Sequence, residues 1–188
     1  LLGGLIVAGL HYATFKNDSV HYHANFALYV NGQRDEFKSF SFYEEVQACS
    51  SDDKNDPKAR VHMHDQNSGL VHVHAKAVTW SQLFANLGYS LGDKVLTTDS
   101  GVYIDGQDGS RLTFILNGRS ETVLANRVIN SEDRLLINYG KDDQATLQQR
   151  YDRVPSDAHQ ANTEHDPASC RGSTELTTWQ RLKKAFID

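Results

Sequence analysis

The chain has 188 residues, 39% hydrophobic and 23% charged, which is enough apolar material for one packed core and excludes a disordered tail or a peptide hormone. Nineteen Lys and Arg against 24 Asp and Glu leave a formal net charge of -5. The cations are scattered rather than gathered into a stripe, so nucleic acid is not an expected partner. Nine histidines beside two cysteines and a single methionine mark the composition as unusual and direct attention to metal binding.

In chain order, the run from Leu1 to Phe15 carries no charge and ends at Lys16, Asn17 and Asp18. It reads as part of a membrane-anchor helix over 1–15, with a signal-peptide remnant or a buried strand as the alternatives. The sole methionine, Met63, lies far along the chain, so further sequence is expected upstream of Leu1. Residues 16–140 read as an extracytoplasmic His-rich domain. Its first strand places Tyr22, Ala24, Phe26, Leu28 and Val30 on one face and closes at Asn31-Gly32, a type I′ hairpin signal. Cys49 lies in polar sequence, as does Cys170, and a disulfide between them would close a loop of about 120 residues and fit an oxidising compartment. Two unpaired thiols in a reducing compartment are the alternative.

Val61 to His74 reads as a hairpin around Asn67-Ser68-Gly69. A helix follows from Trp80 to Leu87, capped by Thr79 or Ser81, stopped by Gly88 and buried along Leu83, Phe84 and Leu87. Leu112–Gly118 echoes Phe26–Gly32 in running apolar into Asn-Gly, which predicts a second hairpin of the same kind. Beyond Gly140 the sequence turns polar, and 141–188 reads as an extended tail ending in an amphipathic helix over 173–188. The fold class is thus α+β: an antiparallel, hairpin-rich domain with one short helix on the sheet.

Six of the nine histidines form three His-x-His pairs: His21 and His23, His62 and His64, His72 and His74. Strand side chains alternate, so each pair puts both imidazoles on one face and its apolar neighbours on the other, toward a core. Counting outward from a three-residue loop sets His64 opposite His72 and His62 opposite His74, with Cβ atoms roughly 4.5 to 5.5 Å apart. Should the strand of His21 and His23 lie alongside, six imidazoles share one face. Protonating such neighbours would stack like charges, whereas a metal ion would use their neutral form.

All-imidazole coordination suits copper or zinc, and also nickel or iron, but not calcium or magnesium. Met63 has the wrong parity to join; so does Asp65, although it adjoins the turn and can support the ligands from behind. His11, His159 and His165 read as incidental, although His165 with Asp166 could close over the site. No Gly-x-Ser-x-Gly, Walker loop, dinucleotide fingerprint or His-Glu-x-x-His occurs. Two functions remain: a module that captures, stores or delivers copper or zinc outside the membrane, alone or within a membrane-protein complex, and a metalloenzyme. In the second, histidines would hold zinc for a hydrolase or hydratase, or copper or iron for oxygen chemistry. The absence of a clear general base tilts the reading toward binding.

Through His21-Tyr22-His23, Asn31-Gly32, the Val61–His74 hairpin, Val78–Gly88 and Asp133–Gly140, the chain resembles uncharacterised membrane-anchored His-x-His proteins of small-genome bacteria and archaea. The resemblance spans about two thirds of the sequence and implies an anchored extracytoplasmic domain, without an activity to carry over.

Overall fold

A computed structural model describes residues 20–43 and 56–163 of the chain. They form a mixed α+β domain, rich in strands, with two open sheets. The central strand of the larger sheet is β1 (Tyr22–Val30), whose even-numbered residues face the main core as the alternation predicts. Asn31 and Gly32 both take positive φ, 48° and 86°, and turn the chain into β2 (Gln33–Arg34) with Val30 opposite Gln33, the expected type I′ geometry. Asn117 and Gly118, at 51° and 77°, do the same between β8 (Arg111–Leu116) and β9 (Arg119–Glu121).

The short helix α1 (Pro57–Arg60), capped by the Asp56 side chain, leads into β3 (Val61–His62), and β4 (Leu70–Val73) follows. Next comes α2 (Trp80–Asn86). The Thr79 hydroxyl accepts from the Gln82 N–H while Gln82 reaches back to the Thr79 N–H, a reciprocal cap. Leu83, Phe84 and Leu87 are buried as predicted. The smaller sheet runs β5 (Ser90–Leu91), β6 (Val95–Thr98), β7 (Gly101–Ile104). With β10 (Arg134–Gly140), the larger sheet has the order β3-β4-β1-β10-β8-β9, and β2 adds to the far end of β1.

Two expectations are corrected. The hairpin-rich reading does not extend to the middle of the sheet, where β1 and β10 pair in parallel, from Asn25 opposite Arg134 to Val30 opposite Tyr139. These strands lie about a hundred residues apart in sequence and are buried on both faces, which gives β10 its near-continuous apolar run. The segment after Gly140 is not extended either. It forms α3 (Gln144–Asp152) and α4 (Ala158–Thr163), which cover the second face of the sheet.

On that face Leu147, Tyr151 and Val154 pack with Ala27, Tyr29, Ile115 and Leu136. Buried Arg150 donates to both oxygens of Asp142, at 2.6 and 2.7 Å, and to Asn138 Oδ1, with its guanidinium 5.1 Å from the centre of the Tyr29 ring. The described part of 141–188 therefore belongs to the packed domain. The expected anchor over 1–15, Cys49, Cys170 and the helix over 173–188 lie outside the described residues. Among the described residues no helix is long and apolar enough to cross a membrane.

Candidate metal centre

The three His-x-His pairs come from β3 and the residues after it, from β4, and from the start of β1. In the sheet β4 runs between the other two, and His72 sits opposite both His62 on one side and His23 on the other. This register differs by two residues from the one counted from a three-residue loop, which set His64 opposite His72. The cause is the turn. Asp65 and Gln66 both adopt left-handed backbone, φ 56° and 54°, and the Asn67 N–H donates to the His64 carbonyl at 3.1 Å. The first turn thus falls on His64–Asn67 rather than on Asn67–Gly69. Because the displacement is an even number, every histidine keeps its face.

The imidazole face does not look outward, as the sequence suggested. His23, His62, His64 and His72 are buried, and His21 and His74 are half-buried. Over the His23 end of this face lies α4, stitched to the sheet through a set of side-chain bonds. Asn25 Nδ2 donates to Asp157, the Ala158 N–H donates to Asn25 Oδ1 at 2.9 Å, and Asn67 Nδ2 reaches Asp157 at 3.1 Å.

All six predicted histidines come together. Their rings trace a closed circuit, with centroids 3.6 Å apart for His64 and His72, 4.3 Å for His72 and His23, and 4.8 Å for His23 and His21. It continues at 4.7 Å from His21 to His74, 5.0 Å from His74 to His62 and 5.9 Å from His62 to His64. Within it, His21, His72 and His74 each offer a ligand atom lying within 4.8 Å of the other two. Around a tetrahedral ion with metal–nitrogen bonds of about 2.0–2.1 Å, ligand atoms sit roughly 3.3 Å apart, so small side-chain rotations close the trio.

The far nitrogens of several rings are held in the manner that metal ligands require. His62 Nδ1 donates to the Lys58 carbonyl at 2.7 Å, and His64 Nδ1 lies 2.6 Å from Asp65 Oδ2. Each contact sets the proton on Nδ1 and the lone pair on Nε2. His74 Nε2 is buried with no hydrogen-bond partner. Such an atom is costly to bury unless something coordinates it.

Electrostatics keep two of these rings neutral. Burial, and then the neighbouring imidazoles led by His64 and His23, pushes His72 far below the ordinary histidine range. Burial and then His62 and His21 bring His74 down to about 3. Near neutral pH both rings are unprotonated, the form a cation binds.

Sequence reasoning put six rings on one face only on condition that the His21–His23 strand lay beside the hairpin, offered Asp65 as support from behind, and missed what holds the rings: Asn25, Asp157, Asn162 and the Lys58 carbonyl. Polar residues on the imidazole parity of β1, Asn25 above all, were the available signal that this face is roofed. His159 stays out of the array and meets Glu132 at 3.0 Å, and His165 lies outside the described residues. At the other end of β1 an open cleft of ≈ 520 Å³ is lined by Arg34, Asp35, Phe42, Tyr89 and Asp99 among others. There the Tyr89 hydroxyl, 2.9 Å from Asp35 and 3.3 Å from Asp99, has its pKa raised by burial and then by those carboxylates.

Fold and site together define a strand-rich α+β domain carrying a roofed array of six imidazoles. No protein-family model matches the chain, no curated protein matches its sequence, and no solved structure matches its fold.

Proposed function

We propose that this protein binds a transition metal, copper or zinc, through His21, His72 and His74, with His23, His62 and His64 completing the array. The observation carrying the reading is the trio itself: three nitrogen donors lie within 4.8 Å of one another, and the Nε2 of His74 is buried with no hydrogen-bond partner. Imidazole donors without thiolates suit these ions, and the neutral state of His72 and His74 removes the proton competition that ordinary histidines would offer.

The domain is proposed to sit outside the membrane on an N-terminal anchor, a reading supported by the uncharged run Leu1–Phe15 and by cysteines placed in polar sequence. It would capture or deliver its ion there, alone or within a membrane complex. Binding is preferred to hydrolysis because Asp65, the carboxylate that hydrogen-bonds an array imidazole, is engaged in orienting His64 rather than placed to activate a water.

Elemental analysis of protein purified without added metal, followed by calorimetric titration with zinc and copper, tests the proposal. Copper or zinc is expected at stoichiometric levels in the parent protein and in a His159→Ala control, and is expected to be lost in His21→Ala, His72→Ala and His74→Ala. A parent protein that neither carries nor takes up either ion would overturn the reading.

A further inference from the structure

We propose that Asn162 is a positioning residue for the metal centre, acting through His23, which relays a hydrogen bond to His72 instead of serving as a ligand. The inference rests on the metal-binding reading above and adds to it a second layer, supplied by the helix α4 that the sequence had not revealed.

The assignment follows from counting protons along one chain of contacts. Asn162 Oδ1 lies 2.9 Å from the backbone nitrogen of His23 and 2.9 Å from His23 Nδ1. A backbone N–H can only donate, which fixes that amide atom as oxygen, and an amide oxygen can only accept. The opposite end of the amide agrees, with Asn162 Nδ2 donating to Ser131 Oγ at 3.1 Å and toward the Glu132 carboxylate.

His23 Nδ1 therefore carries the ring proton. A neutral imidazole has only one, so His23 Nε2 is a bare lone pair. That lone pair lies 3.0 Å from His72 Nδ1 in a buried contact. His72 Nδ1 must then donate, and the lone pair of His72 is left on Nε2. One amide oxygen on α4 thus selects the tautomer of a ligand two rings away. Asn162 is suited to this role because the same oxygen grips the His23 backbone and ring together, which fixes the ring's rotation as well as its proton.

Without the Asn162 oxygen, His23 is free to move its proton to Nε2. His72 Nδ1 would then accept, its own proton would shift to Nε2, and the ligand lone pair would be capped. Losing an outer partner of this type typically weakens metal affinity by roughly 10–100-fold.

Two measurements test the proposal. Long-range proton–nitrogen NMR on ¹⁵N-histidine-labelled, metal-free protein at neutral pH reports each tautomer. His23 and His72 are both expected with the proton on Nδ1, and finding the His72 proton on Nε2 would overturn the relay. Zinc titration then compares variants. Asn162→Leu is expected to raise the zinc Kd by roughly 10–100-fold and to abolish the single His72 tautomer. Asn162→Asp, which keeps an acceptor at the same place, is expected to stay within a few-fold of the parent in both readouts. An Asn162→Leu protein with parental affinity and tautomer sinks the idea. So does one whose affinity falls while His72 keeps Nδ1–H, since that is the mark of a purely structural role.

His23→Gln supplies a second route should Asn162→Leu fail to fold: the zinc Kd is expected to rise by the same roughly 10–100-fold while the ion is still taken up at saturating zinc, whereas a parental Kd would overturn the relay, and complete loss of the ion would make His23 a ligand and overturn the assignment. A parent protein that binds no zinc yet shows both Nδ1–H tautomers would sink the metal reading while upholding the hydrogen-bond chain.

Discussion

His74 shows how the array links folding to protons. Its folded pKa is brought down from 6.5 to about 3, chiefly by burial and then by His62 and His21. The unfolded chain takes up that proton near pH 6.5, while the folded chain resists it until near pH 3. Between those values the unfolded state holds more protons, so stability is complete above about pH 6.5 and drains away as the pH falls toward 3. Each histidine of this type sets a slope of about 1.4 kcal/mol per pH unit in that window. His72, shifted the same way and further, adds to it. Urea unfolding of the metal-free protein at pH 7, 6 and 5 is therefore expected to show falling stability, with a shallower dependence in His74→Leu. A flat profile from pH 7 to 5 would contradict the burial of neutral imidazoles. The carboxylates shifted downward, Asp105, Glu132 and Asp143, lose stability in the same direction but start from ordinary values of 3.8 to 4.5, so their loss falls mainly below pH 5 and leaves the span from pH 7 to 5 to the histidines.

At the scale of elements, the contact between the β3–β4 turn and the segment before α4 sets the roof over the array. Gly69 accepts from both the Phe26 N–H and Asn25 Nδ2 through its carbonyl, and a Cβ built on it would run into the Pro155 ring. Pro155 is part of a short loop with little room to give, since Arg134 is hydrogen-bonded to the Val154 and Pro155 carbonyls beside it. Gly69→Ala is thus expected to cost about 1–3 kcal/mol through overpacking and, by displacing α4, to weaken zinc binding as well. Denaturant unfolding and calorimetry on one preparation check both effects; unchanged values in each would mean that the roof does not depend on this contact.

The same elements show what the sequence made legible. The face occupied by each histidine follows from strand periodicity alone and survives a two-residue error in register. The register itself was hidden in the left-handed conformations of Asp65 and Gln66, residue types that do not announce a primed turn as Asn31-Gly32 does. In α3 the apolar signal is reduced to Leu147 and Tyr151 among glutamines, while Arg150 is buried by Asp142, Asn138 and Tyr29, partners no local pattern reveals. Polar composition was accordingly mistaken for an extended tail.

Across the whole molecule, the sheet separates two tasks. One face builds the main core with α2 and the small sheet, and the other carries α3, α4 and the imidazoles. The imidazole face is thus made of segments far apart in sequence: the start of β1, the β3–β4 pair, and α4 near residue 160. An ion held by His21, His72 and His74 would bridge two neighbouring strands, and unfolding would separate those ligands, so binding and folding would be coupled.

With free ligand at 100 times Kd and no affinity for the unfolded chain, such coupling contributes about 2.7 kcal/mol of stability, rising to about 4.1 at 1,000 times Kd. Thermal and urea unfolding at neutral pH, with and without saturating zinc, should display a stabilisation that grows with the logarithm of zinc concentration. In His72→Ala the increment should vanish, because the central ligand of the trio is gone. In His159→Ala it should persist, since that ring meets Glu132 outside the array. A zinc-dependent increase of the same size in both variants would place the ion elsewhere on the molecule.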